Sequence, residues 1–455
     1  MPGTFRIRKC LEPPVGLADS PRGACRHCFA MPGVLSAFPY SRFARIPGPD
    51  ARLMTRRFAP KGGIHRALGL EINEGMTTFA ESKFNHVMKR FIVFALVVFA
   101  SASLFAQDPE YVYTEASDLT IFGKLMPGKT QNPYHRVDTT YYKGFTDREN
   151  KLVRMSSGMG CVFKTDSKSI SIQTEYGHMD DPTNTSIISA RGYDLYILKD
   201  GEWLWASSGV SPRKSPGKPF TLISNMDGSE HVCLLYFPTY SEERSIKVGV
   251  EKGSSLESVE NPFKHRVAIW GSSYTHGSST SRAGMAYPAQ FTRSTGIQLL
   301  SLGCSGRCML QDYFCDVLVD VDAEAFIFDS FSNPRAKMIR ERLVPFIDRM
   351  IAAHPGKPLI FQQTIWREKR NFNIKEDEKE QAKMDMAAKI FKEIKSTPEG
   401  RAKYKDVYFI TPEACPDSHE ASVDGIHPDN YGYTLWAKSI EKPVLKILKK
   451  YGIRK

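Results

Sequence analysis

The feature that most constrains this chain is an alternation that begins after Pro262 and runs to the C-terminus. Five short apolar runs, Val267–Trp270, Ile297–Leu300, Ala325–Phe328, Pro358–Phe361 and Val407–Ile410, are interleaved with helix-patterned segments at Arg335–Ala353, Lys375–Lys395 and Tyr433–Lys450. Runs this short and this apolar suit strands covered on both faces. Strands joined through helices pair in parallel, and right-handed crossovers lay the helices on both sides of the sheet. The expectation for residues 262–455 is therefore an α/β domain with three layers, helix on sheet on helix. In such a domain chemistry collects at the carboxyl ends of the strands.

Residues 107–258 have a different texture. Ser169–Glu175 alternates apolar and polar side chains, as a half-buried strand does. Gly192–Leu198 and Glu202–Ala206 flank Lys199-Asp200-Gly201, a hairpin with an Asp-Gly turn. Val232–Phe237 and Arg244–Val250 read as further strands, and no long helical pattern intervenes. The expectation is an N-terminal β-sandwich.

The formal net charge of +12 invites a reading as a binder of nucleic acid, but its distribution argues otherwise. Residues 1–87 carry a net +7, and Lys89 and Arg90 add two more, leaving only +3 from Gln107 onward. No nucleic-acid partner is expected. Residues 88–106 pair a basic start, Lys89-Arg90, with a ten-residue apolar stretch, Phe91–Ala100, and small residues before Ala106. That is the pattern of a secretory signal peptide, too short to span a bilayer, so export to the periplasm or beyond is expected, with no membrane span after cleavage. A leader at residue 88 implies that translation starts at Met88. Residues 1–87 show no periodicity and are assigned no function; their Cys25-Arg-His-Cys28 lacks the second pair of a zinc site. Cysteines 161, 233, 304, 308, 315 and 415 follow the leader; in an exported chain they are free to pair, and Cys161 with Cys233 is open.

Two segments carry chemistry. Gly271-Ser272-Ser273-Tyr-Thr-His-Gly277 follows the first strand of the α/β domain directly, a turn that presents a serine hydroxyl at a strand end. Asp424-Gly-Ile-His427 stands just before the last helix. A serine needs a base to take its proton, and a carboxylate beside that base fixes its tautomer. The rival readings are a turn serine and a surface-loop histidine.

These segments resemble the blocks of SGNH (GDSL-like) hydrolases, with Ser301-Leu-Gly-Cys-Ser-Gly306 similar to the block between them. Gly192-Tyr-Asp-Leu-Tyr196 resembles the GxDLY signature of an N-terminal β domain found in one bacterial subgroup, where the nucleophile motif reads GSS, as here. The resemblance spans about 115–450. It implies a flavodoxin-like catalytic domain, a jelly-roll-like β domain, Ser273 as nucleophile, His427 as base and Asp424 as its partner. It assigns no role to Ser272, where many relatives have Asp. The implied oxyanion donors are the N–H groups of Ser273 and Gly306 and the side-chain amide of Asn333. The chain departs from the wider family in lacking Gly-x-Asn-Asp; Asn333 in Asp329-Ser-Phe-Ser-Asn333-Pro334 resembles the subgroup's Asp-x-x-x-Asn. The competing reading of Asn333 is a cap on a helix opening at Pro334.

The implied activity is hydrolysis of short acyl esters on carbohydrate or similar small alcohols, with no metal or cofactor. Alternatives are a lysophospholipase-like acyl hydrolase and an inactive carbohydrate-binding or cell-surface protein. The partner is then a small-molecule or glycan ester; the sequence does not address oligomeric state. His178-Met-Asp-Asp181 reads as a polar loop rather than a metal site, and Lys375–Glu380 as a solvated helix start.

Overall fold

A computed structural model of the chain describes residues 109–413 and 419–455, together with Met88. The chain divides into two compact units, Met1–Ala95 and Leu96–Lys455, and the architecture below belongs to the second. The expected leader beyond Met88, the upstream stretch with Cys25 and Cys28, and Cys415 lie outside the described residues.

Ten strands between Tyr111 and Ser258 build two antiparallel sheets. One contains β1 (Tyr111–Glu115), β4 (Ile170–Met179), β7 (Phe220–Ile223) and β9 (Ser241–Glu251), in the order β1-β9-β4-β7. The other contains β2 (Thr120–Phe122), β3 (Gly160–Thr165), β5 (Tyr193–Lys199), β6 (Glu202–Gly209), β8 (His231–Tyr236) and β10 (Leu256–Ser258); its order is β10-β3-β8-β5-β6, with β2 beside β3. Inward side chains from both sheets, among them Phe163, Ile172, Leu195, Leu235 and Val248, share one core, which makes the pair a sandwich. The β5–β6 hairpin turns on Asp200 and Gly201, both at positive φ (53° and 82°), as the Asp-Gly signal requires.

Two details go beyond what the sequence specified. Helices α1 (Asp147–Arg154) and α2 (Ile187–Arg191) interrupt the sandwich region. The first opens with a capping box: Thr146 accepts from the Glu149 N–H, and the Glu149 carboxylate accepts from Thr146 N–H at 2.8 Å. That Thr-x-x-Glu signature is visible in the sequence but too short to carry a helical period. The five described cysteines, Cys161 and Cys233 among them, are buried free thiols, so the bond left open between those two is not made. They sit on adjacent strands but out of register, Cys161 opposite Leu235 and Cys233 opposite Phe163.

Five parallel strands follow: β11 (Lys264–Gly271), β12 (Ile297–Gly303), β13 (Ala325–Asp329), β14 (Leu359–Gln362) and β15 (Val407–Ile410), in the order β12-β11-β13-β14-β15. Successive side chains leave a strand on opposite faces, and both faces here are apolar. Trp270, Leu302, Phe328 and Phe361 pack against α5 (Asp312–Val319), α6 (Ala336–Ala353) and α7 (Ile374–Glu393). Ile269, Leu299, Ile327 and Ile360 pack against α4 (Tyr287–Thr295) and α9 (Asn430–Leu448), the last helix after the short α8 (Pro398–Lys403). This is the expected three-layer sheet, with the flavodoxin-like order. Its topological switch point lies at β11, where the order reverses between β12 and β13. Among the described residues, no helix is long and apolar enough to cross a membrane.

Candidate active site

The chain leaves β11 into a one-turn helix, α3 (Ser273–His276), capped by the Ser272 hydroxyl, which accepts from Tyr274 N–H at 3.2 Å. Glycine is needed at both ends for different reasons. A Cβ on Gly271 would stand 2.0 Å from Thr275 Oγ1, and Gly277 closes the turn in the left-handed region at φ 94°. Ser273 therefore sits at the carboxyl edge of the sheet, at its switch point.

The loop before α9 is folded on itself. Asp424 Oδ1 accepts from the N–H groups of Ile426 (3.0 Å) and His427 (2.8 Å), an Asx turn that aims the ring back at the carboxylate. The His427 ring lies between Ser273 and Asp424: Nε2 is 2.9 Å from Ser273 Oγ, and Nδ1 is 2.8 Å from Asp424 Oδ2. Tyr274 holds this loop, its hydroxyl donating to Ile426 O at 2.9 Å and its ring meeting the His427 ring edge-on. Burial pushes the Asp424 carboxyl up, but N–H donation from the His427 backbone and ring and from Asn184 outweighs it and holds the group well below the usual carboxylate range.

Asn184 is the residue that sequence reasoning missed. It belongs to the β-sandwich half, in the loop between β4 and α2, yet its Nδ2 donates to Asp424 Oδ2 at 3.0 Å. The loop is pinned to the segment just after α3: Thr185 Oγ1 accepts from Ser279 N–H (2.9 Å), and the Ser189 and Thr280 hydroxyls bond at 2.6 Å. Nothing in Asp180-Asp-Pro-Thr-Asn184 signals this, because the contact spans 240 residues. Upstream in the same loop, Asp180 meets His178 from the end of β4 at 2.7 Å and Arg148 from α1 at 2.6 Å.

In front of Ser273 opens a cavity of about 770 Å³, lined in part by His427, Gly306 and Asn333. Gly306 takes φ 70° with open space where a Cβ would stand, so the backbone conformation, not crowding, favours glycine there. Asn333 does not cap a helix: α6 starts at Ala336, its N-cap is Arg335, and Asn333 Oδ1 instead accepts from Cys308 N–H at 3.2 Å. Because that partner is a donor, the facing atom is the oxygen, and the NH₂ turns away from it. The helix-cap reading of Asn333 is thus replaced by a bond that orients its amide.

Beneath the turn, Asp329 at the end of β13 is fully buried. Burial pushes its carboxyl up to about 7, against hydrogen bonds from Thr275 (2.9 Å) and Ser272 (3.3 Å). Ser272, given no catalytic role, thus ties the turn to the neighbouring strand. The charged run Lys375–Glu380 is also not wholly a solvated face. The Glu380 side chain is 1% exposed, with Oε1 between Arg367 (2.9 Å) and Lys383 (2.6 Å). The sequence conceals this because both partners lie outside the run, one on another loop.

The sequence model described as "GDSL-like Lipase/Acylhydrolase family" matches residues 264–446, and a second, "N-terminus of Esterase_SGNH_hydro-type", matches 110–256. A crystal structure described as a GDSL-like lipase from Bacteroides ovatus ATCC 8483 is 34% identical, with TM-score 0.71, covering 75% of this chain and 98% of its own. The chain belongs to the GDSL-like lipase/acylhydrolase family. It is an ester hydrolase of the SGNH type. The fold is shared more distantly by the salicylyl-acyltransferase SsfX3 from a tetracycline biosynthetic pathway: 17% identity, TM-score 0.54, 75% of this chain and 98% of the other. No curated protein matches the chain. As a GDSL-like hydrolase the chain keeps the order of blocks: the serine turn leads, the Gly306 and Asn333 segments follow, and the Asp-His loop closes the domain.

Proposed function

We propose that this protein hydrolyses short acyl esters of carbohydrate or similar small alcohols through an acyl-enzyme on Ser273. The observation that carries the reading is the unbroken path from Ser273 Oγ to His427 Nε2 (2.9 Å) and from His427 Nδ1 to Asp424 Oδ2 (2.8 Å), opening on a cavity. His427 takes the Ser273 proton as Oγ attacks the ester carbonyl, then gives it to the departing alcohol. Asp424 holds the ring so that Nε2 is the basic nitrogen. The oxyanion is met by the N–H groups of Ser273 and Gly306 and by the Asn333 amide, whose orientation the Cys308 bond supports. Water then enters, His427 acts as base again, and the acyl group leaves as its acid. The complete dyad beside the serine favours this over a binding-only role. We also propose that residues 88–106 direct export, so that the ester is met outside the cytoplasm.

The test is turnover of p-nitrophenyl acetate and butyrate by the full chain and by Ser273→Ala. Loss of about 10⁴-fold or more in kcat in the variant supports the reading. Equal turnover by folded variant and parent would remove Ser273 from the mechanism.

A further inference from the structure

The cavity in front of Ser273 is lined by charge of one sign. Among the described residues lining it are four basic side chains, Arg335, Arg367, Lys379 and Lys383, and no carboxylate. Glu380 stands behind three of them: Oε1 is 2.9 Å from Arg367, 2.6 Å from Lys383 and 3.8 Å from Lys379. Glu376 takes a share of Lys379 at 3.0 Å. Two carboxylates thus face three cations. Arg335 is exposed at the pocket wall, with no side-chain hydrogen bond or ion pair among the described residues. The group as a whole keeps two positive charges without counter-ions.

This surplus is not all at the surface. The Arg367 and Lys383 side chains are 8% and 3% exposed. Burial pushes the Lys383 ammonium down to about 8, and repulsion by Arg367 adds to it against the pull of Glu380. Like charges held out of water repel strongly, and a cleft with low-dielectric walls focuses their field on whatever enters. An anion in the cavity would relieve that repulsion; a neutral ester would not.

We infer that the substrate carries an anionic group close to its scissile ester, met by Arg335 and Lys379, with Arg367 and Lys383 supplying a fixed positive field behind them. Arg335 suits a carboxylate in particular, since its planar fork offers paired N–H donors and is not otherwise engaged. The inference rests on Ser273 being the nucleophile and narrows the ester class within that reading.

Three esters test it with the full chain: p-nitrophenyl acetate, mono-4-nitrophenyl succinate and 3-carboxy-4-nitrophenyl acetate. The first is neutral, the second anionic on the acyl side and the third on the alcohol side. Rates are compared after division by each ester's rate with hydroxide. The expected result at low salt is kcat/KM about tenfold or more above the acetate for one anionic ester, with that advantage shrinking towards about 0.5 M salt. Which of the two wins tells whether the charge lies on the acyl or the alcohol part. In the double variant Arg335→Gln/Lys379→Gln the anionic-to-neutral ratio should fall by about fivefold or more. If that variant fails to fold, the salt dependence of the parent decides alone. Anionic esters no better than the acetate, or an advantage indifferent to salt, would overturn the inference while leaving Ser273-dependent hydrolysis standing. No Ser273-dependent turnover of any of the three would overturn the nucleophile reading and this inference with it.

Discussion

Asn184→Ala removes one donor from the Asp424 carboxylate, together with the 3.2 Å approach of its Nδ2 to His427 Nδ1, at a residue that does not itself line the cavity. Asp424 has four N–H donors: the Ile426 and His427 backbone (3.0 and 2.8 Å), the His427 ring (2.8 Å) and the Asn184 amide (3.0 Å). A hydrogen bond to a charged group contributes about 1.5–3 kcal/mol when well shielded. The Asp424 side chain is 34% exposed, so water replaces part of the loss and the contribution falls to or just below the bottom of that range, about 1–1.5 kcal/mol. Spent on the orientation of His427, that is about tenfold in kcat, with KM changed little. Asn184→Asp should cost more than Ala, because it sets a second carboxylate against Oδ2 at the same 3.0 Å spacing. The assay is steady-state kinetics on a short p-nitrophenyl ester, with circular dichroism to show that both variants fold. A kcat for Asn184→Ala within twofold of the parent, or an Asp variant no worse than Ala, would refute the idea that the β-sandwich loop positions the dyad.

On the proposed mechanism, in which its amide meets the oxyanion, Asn333→Ala should lower kcat about 10²–10³-fold with folding intact; single-turnover acylation of Ser273 would read it. Glu243 is buried, and burial pushes its carboxyl up to about 8 despite hydroxyl bonds from Ser156 and Ser241. With the folded pKa above the ordinary value of 4.5, the folded protein holds a proton that the unfolded chain releases, so stability should fall as pH rises from about 4.5 to about 8. Glu243→Gln should flatten that part of the Tm-versus-pH curve. Gly277→Ala would force a left-handed φ of 94° on a residue with a Cβ and should cost about 1–2 kcal/mol, read by urea unfolding. Trp270→Ala removes a fully buried ring stacked on Phe346, and should cost about 3–5 kcal/mol by the same measurement.

What the sequence determined by itself is whatever depends on neighbours along the chain. The apolar runs became β11 to β15, each within a few residues of its predicted span, because burial on both faces leaves a continuous signal. The Asp-Gly hairpin and the serine turn were legible for the same reason: glycine's conformational freedom is local. The Asp424–His427 spacing also belongs here, since an Asx turn closes over three residues. Tertiary structure alone decided the rest. Asn184 reaches Asp424 only because the sandwich loop docks beside α3, and no pattern in a polar loop encodes a partner 240 residues away. Glu380 looked like part of a solvated run until Arg367 and Lys383 closed over it, because burial of one charge in a charged helix depends on what packs there. Asn333 read as an oxyanion donor with a helix cap as the competing role; the distant N–H of Cys308 drew its oxygen away from the helix and left its amide free to turn elsewhere. Short-range patterning settles which segments are strands and turns, whereas the charge and reach of the site come from contacts made only when separate segments meet.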